Sequence, residues 1–494
     1  MSFCRRVTLA CSVLIGSMAV IIGVVVLTVI EGIVNKTVLS RDYIGFENFN
    51  GSKRLNPMTE KWIRPAYFME LQIWMFDLVN EAEVLKGAKP RVRQLGPFTF
   101  IEHQWKSPYQ FVKNESRVFY RNNHVYVFND SLSCPECVLN RRVVIPNVVF
   151  QKLVDFALKG FLQRLVVTAA LAAVKTESPF VSTTVEEALF KGYHDPLLDY
   201  ICGHKWLQNL CDAVKIPKNI GFFYGQNGTD DGLYEVSTGL GDTFGISKVY
   251  TYNNMTVMPD STWDSADARE IRGTDGQLFS PFLQENQDLE IFAGSICRHV
   301  VSKTVTLEFR GKSEFRDVVA FRYGFPSHIF DPSIAANRGF CNKNNTPTYF
   351  NSSIQIPGCL PKGFLDIGRC LPGRPRVYLS QAHFLNTDDE VIIFIVYSYL
   401  YGSYRNQCLR LVSIRFQLIS NPFIHRITSN MSNLILPVLW MNETIWFDNE
   451  TKAQLEQLVS IKRVLFLSGV FLLTIGLLIW FAVIIVFVAF SILK

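Results

Sequence analysis

The 494-residue sequence has no HExxH pair, no P-loop and no nucleophile elbow, which removes the zinc-peptidase, phosphate-loop and serine-hydrolase arrangements from consideration. His194 beside Asp195, and the pair Asp230 and Asp231, stand in HDP and TDDG turns where an aspartate ordinarily bonds nearby backbone. The chain therefore reads as no enzyme, and no catalytic residue is assigned. Cys134-Pro-Glu-Cys137 has no second CxxC, and His204 stands alone between Cys202 and Cys211. Both cysteine pairs read as local disulfides, with no metal and no cofactor expected. Charge of one sign is also scarce: the formal net charge is +6, and the basic residues are scattered rather than run together. Nucleic acid is not indicated as a partner, while a cationic face for anionic ligands is compatible with the balance. No internal repeat and no low-complexity segment occurs.

The most consequential absence is of charge between Val464 and Leu493, thirty residues without one ionisable side chain. At about 1.5 Å per residue such a helix is roughly 45 Å long, more than the ~30 Å hydrocarbon layer of a bilayer. Val7 to Ile30 is a second uncharged run, of twenty-four residues, preceded by Arg5 and Arg6. It is too long for a signal-peptide core, and TVIEGIV offers no small-residue cleavage pattern. Two spans are expected, with residues 1–6 cytosolic, 7–30 and 464–493 in the membrane, 31–463 outside or lumenal, and residue 494 as a minimal cytosolic tail without an acidic dileucine signal. Lys462 and Arg463 oppose this orientation slightly, but a long domain is translocated largely regardless of its charge.

Sequons support the same orientation. They occur at Asn35, Asn50, Asn114, Asn129, Asn227, Asn254, Asn344, Asn351, Asn430, Asn442 and Asn449, all between the spans, and imply a glycosylated ectodomain. Of eleven cysteines, Cys4 and Cys11 sit at the inner edge of the first span, as acylation sites or as small hydrophobes; the other nine face an oxidising compartment. Nine is odd, so one is free or pairs outside the chain.

Within the ectodomain, EKWIRPAYFMELQIWMFDLVN and the stretch from Pro90 to Phe128 carry the aromatic and β-branched content of strands, and an Asn-Asn turn is expected between Tyr120 and Val125. The period changes after Pro146. Asn147 is placed to cap a helix with apolar positions at Val148, Val149, Leu153, Phe156, Phe161, Leu165 and Leu171. LVVTAALAAV is apolar nearly all round, fitting either a buried bundle helix or an apolar tip that docks to ligand or lipid. Thr183-Thr184-Val185-Glu186 has capping-box spacing, a third helix follows Pro196 and contains Cys202 and Cys211, and strands return from Ile220.

Taken in order, GYHDPLL, GFFYGQNGTDDGLYEV, REIRGTDGQLFSPF, SICRHV, GFLDIGRC, VYLSQAHFL and LPVLWMNET resemble the class B scavenger receptor family. That family includes fatty-acid translocase, the lysosomal integral membrane proteins and the insect sensory neuron membrane proteins. The resemblance implies an α+β membrane protein, with an antiparallel β-barrel core and an apical helical bundle at 147–212. It implies a receptor that binds fatty acids, phospholipids or sterols, lipoproteins or other anionic particles at the apex, and passes lipid through a tunnel to the bilayer. The plasma membrane is the implied location; the alternative is a lysosomal membrane receptor for a protein cargo. Lys175 is the best match to the lysine near the tunnel entrance, with Lys152, Lys159 and Arg164 on the preceding helix. The family's bridges carry over as Cys297 with Cys370 and Cys341 with Cys359; for a third, Ala268 and Gly339 stand where cysteines would, and Cys408 is left over. The resemblance fails between 386 and 433, where the family's D-I-E-P-x-T-G-like motif is absent and Val391 to Leu400 is an apolar run fit for a buried strand. That segment reads either as a diverged strand pair or as an altered splice or gene product, so closure of the barrel is not implied there.

Overall fold

The computed structural model describes residues 3–41, 43–174, 178–294, 303–315, 318–341, 356, 358–368, 371, 373–381, 412–418, 431, 434–446 and 449–492. The chain divides into two compact units. One comprises Met1–Met58, Gly311–Arg322 and Phe447–Lys494, and the other Thr59–Arg310 and Tyr323–Trp446.

In the first unit, α1 (Phe3–Arg41) holds the first uncharged run, and the last helix of the chain (Asn449–Ile492) holds the second. Their apolar cores, Val7–Val29 and Arg463–Ala489, have mean hydropathies of 2.7 and 3.0. The two helices pack antiparallel along a glycine seam. A Cβ at Gly23 would lie 2.8 Å from Leu473 N and 2.9 Å from Gly469 O, and one at Gly476 would lie 2.8 Å from Gly16 O. Small residues let helix backbones approach closely where no hydrophobic effect drives association. Hydroxyls in the helices are satisfied internally: Ser17 Oγ donates to Val13 O, Thr28 Oγ1 to Val24 O and Ser468 Oγ to Val464 O. After α1, the hairpin of β1 (Phe46–Phe49) and β2 (Ser52–Leu55) turns at Asn50-Gly51, whose φ values of 47° and 78° suit the mirror-image turns of tight hairpins.

At the start of the second unit, Pro57–Ile63 forms α2, and its end from Glu60 is helical where the sequence reading expected strand; Pro57 opens the helix, and Thr59, Trp62 and Ile63 bury one face. Strands β3 (Phe68–Leu78), β4 (Val92–Val112) and β5 (Arg117–Phe128) follow as an antiparallel meander, with the short helix α3 (Glu81–Val84) before β4. The turn between β4 and β5 is at Lys113, Asn114 and Glu115, all at positive φ, and not at Asn122-Asn123. Those asparagines stay in β5 because their side chains have partners across the sheet: Asn123 Nδ2 donates to Ser107 O at 2.6 Å and Asn122 Nδ2 to Asp231 Oδ2 at 3.2 Å. Pro97 and Pro108 interrupt β4 where its register with β3 and with β5 shifts, so neither proline removes a ladder donor.

β6 (Arg142–Pro146) pairs with β7 (Phe180–Thr184), and between them run α4 (Val148–Ala157) and α5 (Phe161–Ala173), separated at Leu158–Gly160. The capping box is one residue later than its expected register. Glu187 Oε2 accepts from Thr184 N at 3.1 Å while Glu187 N donates to Thr184 Oγ1 at 3.2 Å, starting a short π-helical segment at Glu187–Lys191. The helix expected after Pro196 is two helices, α6 (Pro196–Gly203) and α7 (Gln208–Val214), stapled across their break by Cys202–Cys211.

β8 (Thr229–Ser237) and β9 (Val249–Tyr252) complete one side of the sheet. After the short helix α8 (Ala266–Arg269), β10 (Leu289–Ala293), β11 (Lys303–Phe315) and β12 (Val318–Gly324) form a separate three-stranded sheet. β13 (Phe364–Asp366), β14 (Val377–Ser380), β15 (Val412–Leu418) and β16 (Leu434–Trp446) supply the other side of the large sheet. Its order is β13-β14-β15-β16-β3-β4-β5-β8-β9, antiparallel throughout. β13 and β9 are not paired with each other among the described residues, so over these residues the β-barrel core implied by the resemblance is a curled half-barrel, its closure, which the sequence left open, lying outside them. Where β16 meets β3, Trp440 stacks on Trp74 with ring centroids 3.8 Å apart and planes 2° from parallel. One core joins sheet and helices: Leu71, Ile73, Phe98 and Phe100 pack with Phe150, Leu153, Val167, Leu171, Leu197 and Ile201.

Bridges join Cys134 to Cys137, Cys202 to Cys211 and Cys341 to Cys359; Cys297, Cys370 and Cys408 lie outside the described residues, as do Val391 to Leu400. The two positions of the missing family bridge are adjacent, since a Cβ built at Gly339 would lie 2.8 Å from Ala268 Cβ and would also meet Ser265 Oγ.

Candidate functional site

The helices α4 to α7 present the clearest unpartnered surface. α5 buries Val167, Ala170 and Leu171, yet its first turns expose Phe161, Leu162 and Leu165 at 76%, 69% and 60%. Phe161, Leu162 and Leu165 lie within the first turns and share a face of α5; the buried-bundle reading of LVVTAALAAV fits the half that carries Val167, Ala170 and Leu171, and the exposed apolar residues lie at and before its start. Trp206, in the turn between α6 and α7, is also exposed.

The cations named from the sequence fall into two groups. Lys152 and Lys159 lie on α4 and at its end, and Lys152 is held below the usual lysine range first by burial and then by the positive charges of Lys159, Arg376 and Arg374, against Asp155. Arg376 Nε donates to Asp155 Oδ1 at 3.0 Å. Arg164 is on α5, where its carbonyl accepts from Thr168 Oγ1, and it is not among the charges felt at Lys152. Lys175 lies outside the described residues. Sequence reasoning missed Arg374 and Arg376, because nothing in the chain links the Gly373–Arg376 turn to a helix more than 200 residues earlier.

The helix starts are tied together. Asn147 Oδ1 accepts from Phe150 N at 3.0 Å, and Asp195 Oδ1 accepts from Leu198 N at 3.0 Å. The carboxyl of Asp195 is raised above the ordinary aspartate range by burial. Asp230 pairs with Arg121 at 2.8 Å, and Asp231 lies 3.4 Å from His124 Nδ1. Asp195 is thus engaged in a cap, Asp230 in an ion pair, and Asp231 in a hydrogen bond from Asn122 Nδ2 at 3.2 Å.

Inside the sheet, β4 and β5 change from apolar to polar along one face. Lys106 is 1% exposed, donates to Gln277 Oε1 at 3.2 Å and sits 5.0 Å from the Trp62 ring centroid. Asp275 accepts from Tyr120 OH at 2.5 Å, from Ser247 Oγ at 2.8 Å and from Gln277 N at 2.9 Å. Burial pulls the Lys106 ammonium down to about 8, opposed by Asp275 and Asp231, and pushes the Asp275 carboxyl up.

Among the described sequons, Asn50, Asn114, Asn227 and Asn254 are exposed and Asn129 is half-buried. Asn442 is buried in β16, with Nδ2 donating to Gln72 Oε1 at 3.1 Å. Asn344, Asn351 and Asn430 lie outside the described residues, and Asn35 and Asn449 fall in helical backbone of the first unit.

A profile of the CD36 family matches residues 14–395, and the chain belongs to that family. Its similarity to individual proteins extends over most of both chains. Lysosome membrane protein 2 of Rattus norvegicus is 27% identical over 427 residues, covering 83% of this chain and 81% of the relative. Scavenger receptor class B member 1 of Sus scrofa is 26% identical over 487 residues, covering 94% and 86%. The protein is a membrane-protein member of this group, with an apolar helix at each end of a large β-rich domain.

Proposed function

We propose that this protein is a cell-surface scavenger receptor that binds lipids, lipoproteins or other anionic particles at the face formed by α4 to α7, and helps lipid pass through the ectodomain to the membrane. The observation that carries the reading is the exposed stripe Phe161, Leu162 and Leu165 beside the cations of α4, an apolar surface next to positive charge. In this reading Lys175, Lys152, Lys159 and Arg164 meet the anionic end of the ligand, both termini are cytosolic, and the exposed sequons carry glycans. The alternative, a lysosomal receptor for a protein cargo, is supported by the similarity to lysosome membrane protein 2. Uptake of labelled oleate and of labelled acetylated lipoprotein by cells expressing the chain tests the proposal. Phe161→Asp combined with Leu165→Asp, both at exposed positions, is expected to lower both uptakes several-fold at equal surface expression. Unchanged uptake in the double variant would remove this face from the function.

A further inference from the structure

The large sheet has two ends, and the chain passes through one of them on its way to both apolar helices. β16 ends at Trp446 opposite Phe68, where β3 begins, and Met69 lies opposite Glu102 of β4. The second unit therefore receives the chain at Thr59, shortly before β3, and releases it at Trp446 from the same end of the sheet. β4 runs on beyond this level from Glu102 to Val112 and returns as β5 from Arg117, which pairs with Ser237 at the end of β8. At ~3.3 Å per residue that extension is roughly 33 Å long. The last helix takes about 21 Å, at ~1.5 Å per residue, from Asn449 to its apolar core at Arg463. By chain length, the extension of β4, β5 and β8 is long enough to reach the depth at which that helix turns apolar, even with the strand tilt of a curled sheet.

The loop at the tip of this extension, residues 238–248 between β8 and β9, turns two apolar side chains outward. Leu240 is 41% exposed and Phe244 66%, and the Phe244 ring lies 5.4 Å from that of the half-buried Phe282. Thr243, Ile246 and Ser247 of the same loop are buried and anchor it. Its backbone is tied down as well: Thr238 N donates to Ser116 O at 3.1 Å, Leu240 N to Thr238 Oγ1 at 3.3 Å, Gly245 N to Asp242 O at 3.2 Å and Ser247 N to Ser237 O at 2.9 Å. A loop whose polar backbone groups are already paired leaves water at low cost, and a ring as exposed as Phe244 adds little to folding. Nearby, Tyr109 on β4 is 40% exposed, and Lys113 in the adjoining β4–β5 turn and Lys248 at the end of the loop are exposed cations. Aromatic rings with lysines beside them are the composition of the membrane–water interface. Asp242, exposed in the middle of the loop, sets the depth, because its charge belongs among headgroups and not in hydrocarbon.

We propose that the loop of residues 238–248 is a membrane anchor of the ectodomain, seating Leu240 and Phe244 in the headgroup layer of the bilayer that holds the two apolar helices. The occupant of this apolar tip is the lipid surface, and neither a second copy of the chain nor a protein ligand. The inference is independent of what the α4 to α7 face binds.

The test places the photoreactive residue benzoylphenylalanine at position 244 or 240 of the full chain in phosphatidylcholine nanodiscs, and, for comparison, at Val79, which is 52% exposed and follows the opposite end of β3. After irradiation, mass spectrometry counts adducts of the chain with phosphatidylcholine. Adducts are expected several-fold more often from positions 244 and 240 than from 79. The same excess is expected in the glycosylated chain and after enzymatic removal of glycans, a comparison needed because the sequon Asn114 lies on the adjoining turn. Leu240→Asp is expected to lower the yield from position 244 several-fold with an unchanged melting temperature. Position 240 keeps the test decisive where the probe at 244 disturbs folding. The proposal is overturned if neither position gives more lipid adduct than 79, or if in membranes of expressing cells both cross-link to a second copy or to another protein in place of lipid.

Discussion

Asn147 Nδ2 donates to Asp195 Oδ2 at 3.0 Å, joining the side chains that cap α4 and α6. Each residue thus serves its own helix with one atom and its neighbour's cap with another. Asn147→Ala removes a cap worth about 1 kcal/mol and leaves a buried carboxylate short of a donor, adding about 1–3 kcal/mol. The expected outcome is a loss of about 2–4 kcal/mol, read by thermal unfolding of the detergent-purified protein. Asn147→Asp, which would set two carboxylates together, is expected to lose more at neutral pH and to recover as pH falls and Asp195, raised by burial, takes up a proton.

The buried ammonium of Lys106 makes a prediction of opposite sign. Its folded value of about 8 lies below the 10.5 of an unperturbed lysine, so between those values the unfolded chain holds more protons than the folded one. Stability at this group therefore rises as pH increases from about 8 to about 10.5, and below that window burial costs on the order of 3 kcal/mol. Lys106→Met removes both the buried charge and the cation that favours the Asp275 carboxylate, so the expected outcome is a wild-type stability that gains on that of the variant as pH rises from about 8 to about 10.5. Urea denaturation of both proteins across this window checks it, and a stability difference that does not change with pH would contradict the assignment.

Much of the fold was legible in the residues alone. The two spans followed from thirty and twenty-four residues without charge, and the start of α4 from Asn147, because both are local properties of the chain. Reading failed where a distant partner decides the outcome. Asn122-Asn123 has turn composition, but bonds to Ser107 and Asp231 keep it in β5. Glu60–Ile63 opens a stretch of strand composition and is helical, as the end of α2, because that helix buries Trp62 and Ile63 on one side. For the site, Lys152 and Lys159 were visible as helix cations; Arg374 and Arg376 were not, since only the fold brings their turn to α4.

The family bridge missing from this chain can be restored on the same geometry. Ala268→Cys with Gly339→Cys places the two Cβ atoms closer than the usual 3.5–4.5 Å of a disulfide, and Ser265 Oγ occupies the intervening space. The pair is expected to oxidise poorly alone and fully once Ser265→Gly is added, with a gain of about 2–4 kcal/mol. Peptide mapping without reductant, followed by unfolding, reads both steps.

The glycine seam between the apolar helices predicts a sharp size limit. Gly23→Leu sets a side chain against the backbone at Leu473 and Gly469, where no rotamer change makes room. Cross-linking between cysteines introduced along the two helices, in membranes, is expected to be lost in Gly23→Leu and Gly476→Leu, while Gly→Ala at either position only reduces it.

The stacked indoles of Trp74 and Trp440 have one further consequence. They are separated by 366 positions in sequence and belong to the first and last strands that the chain contributes to the large sheet. Two parallel chromophores at 3.8 Å share their excited state, so their circular dichroism differs from the sum of two isolated tryptophans. That signal exists only when the beginning and end of the sheet have met. The protein thus carries an internal optical gauge of its own completion, readable during synthesis, refolding or mutation without any added label.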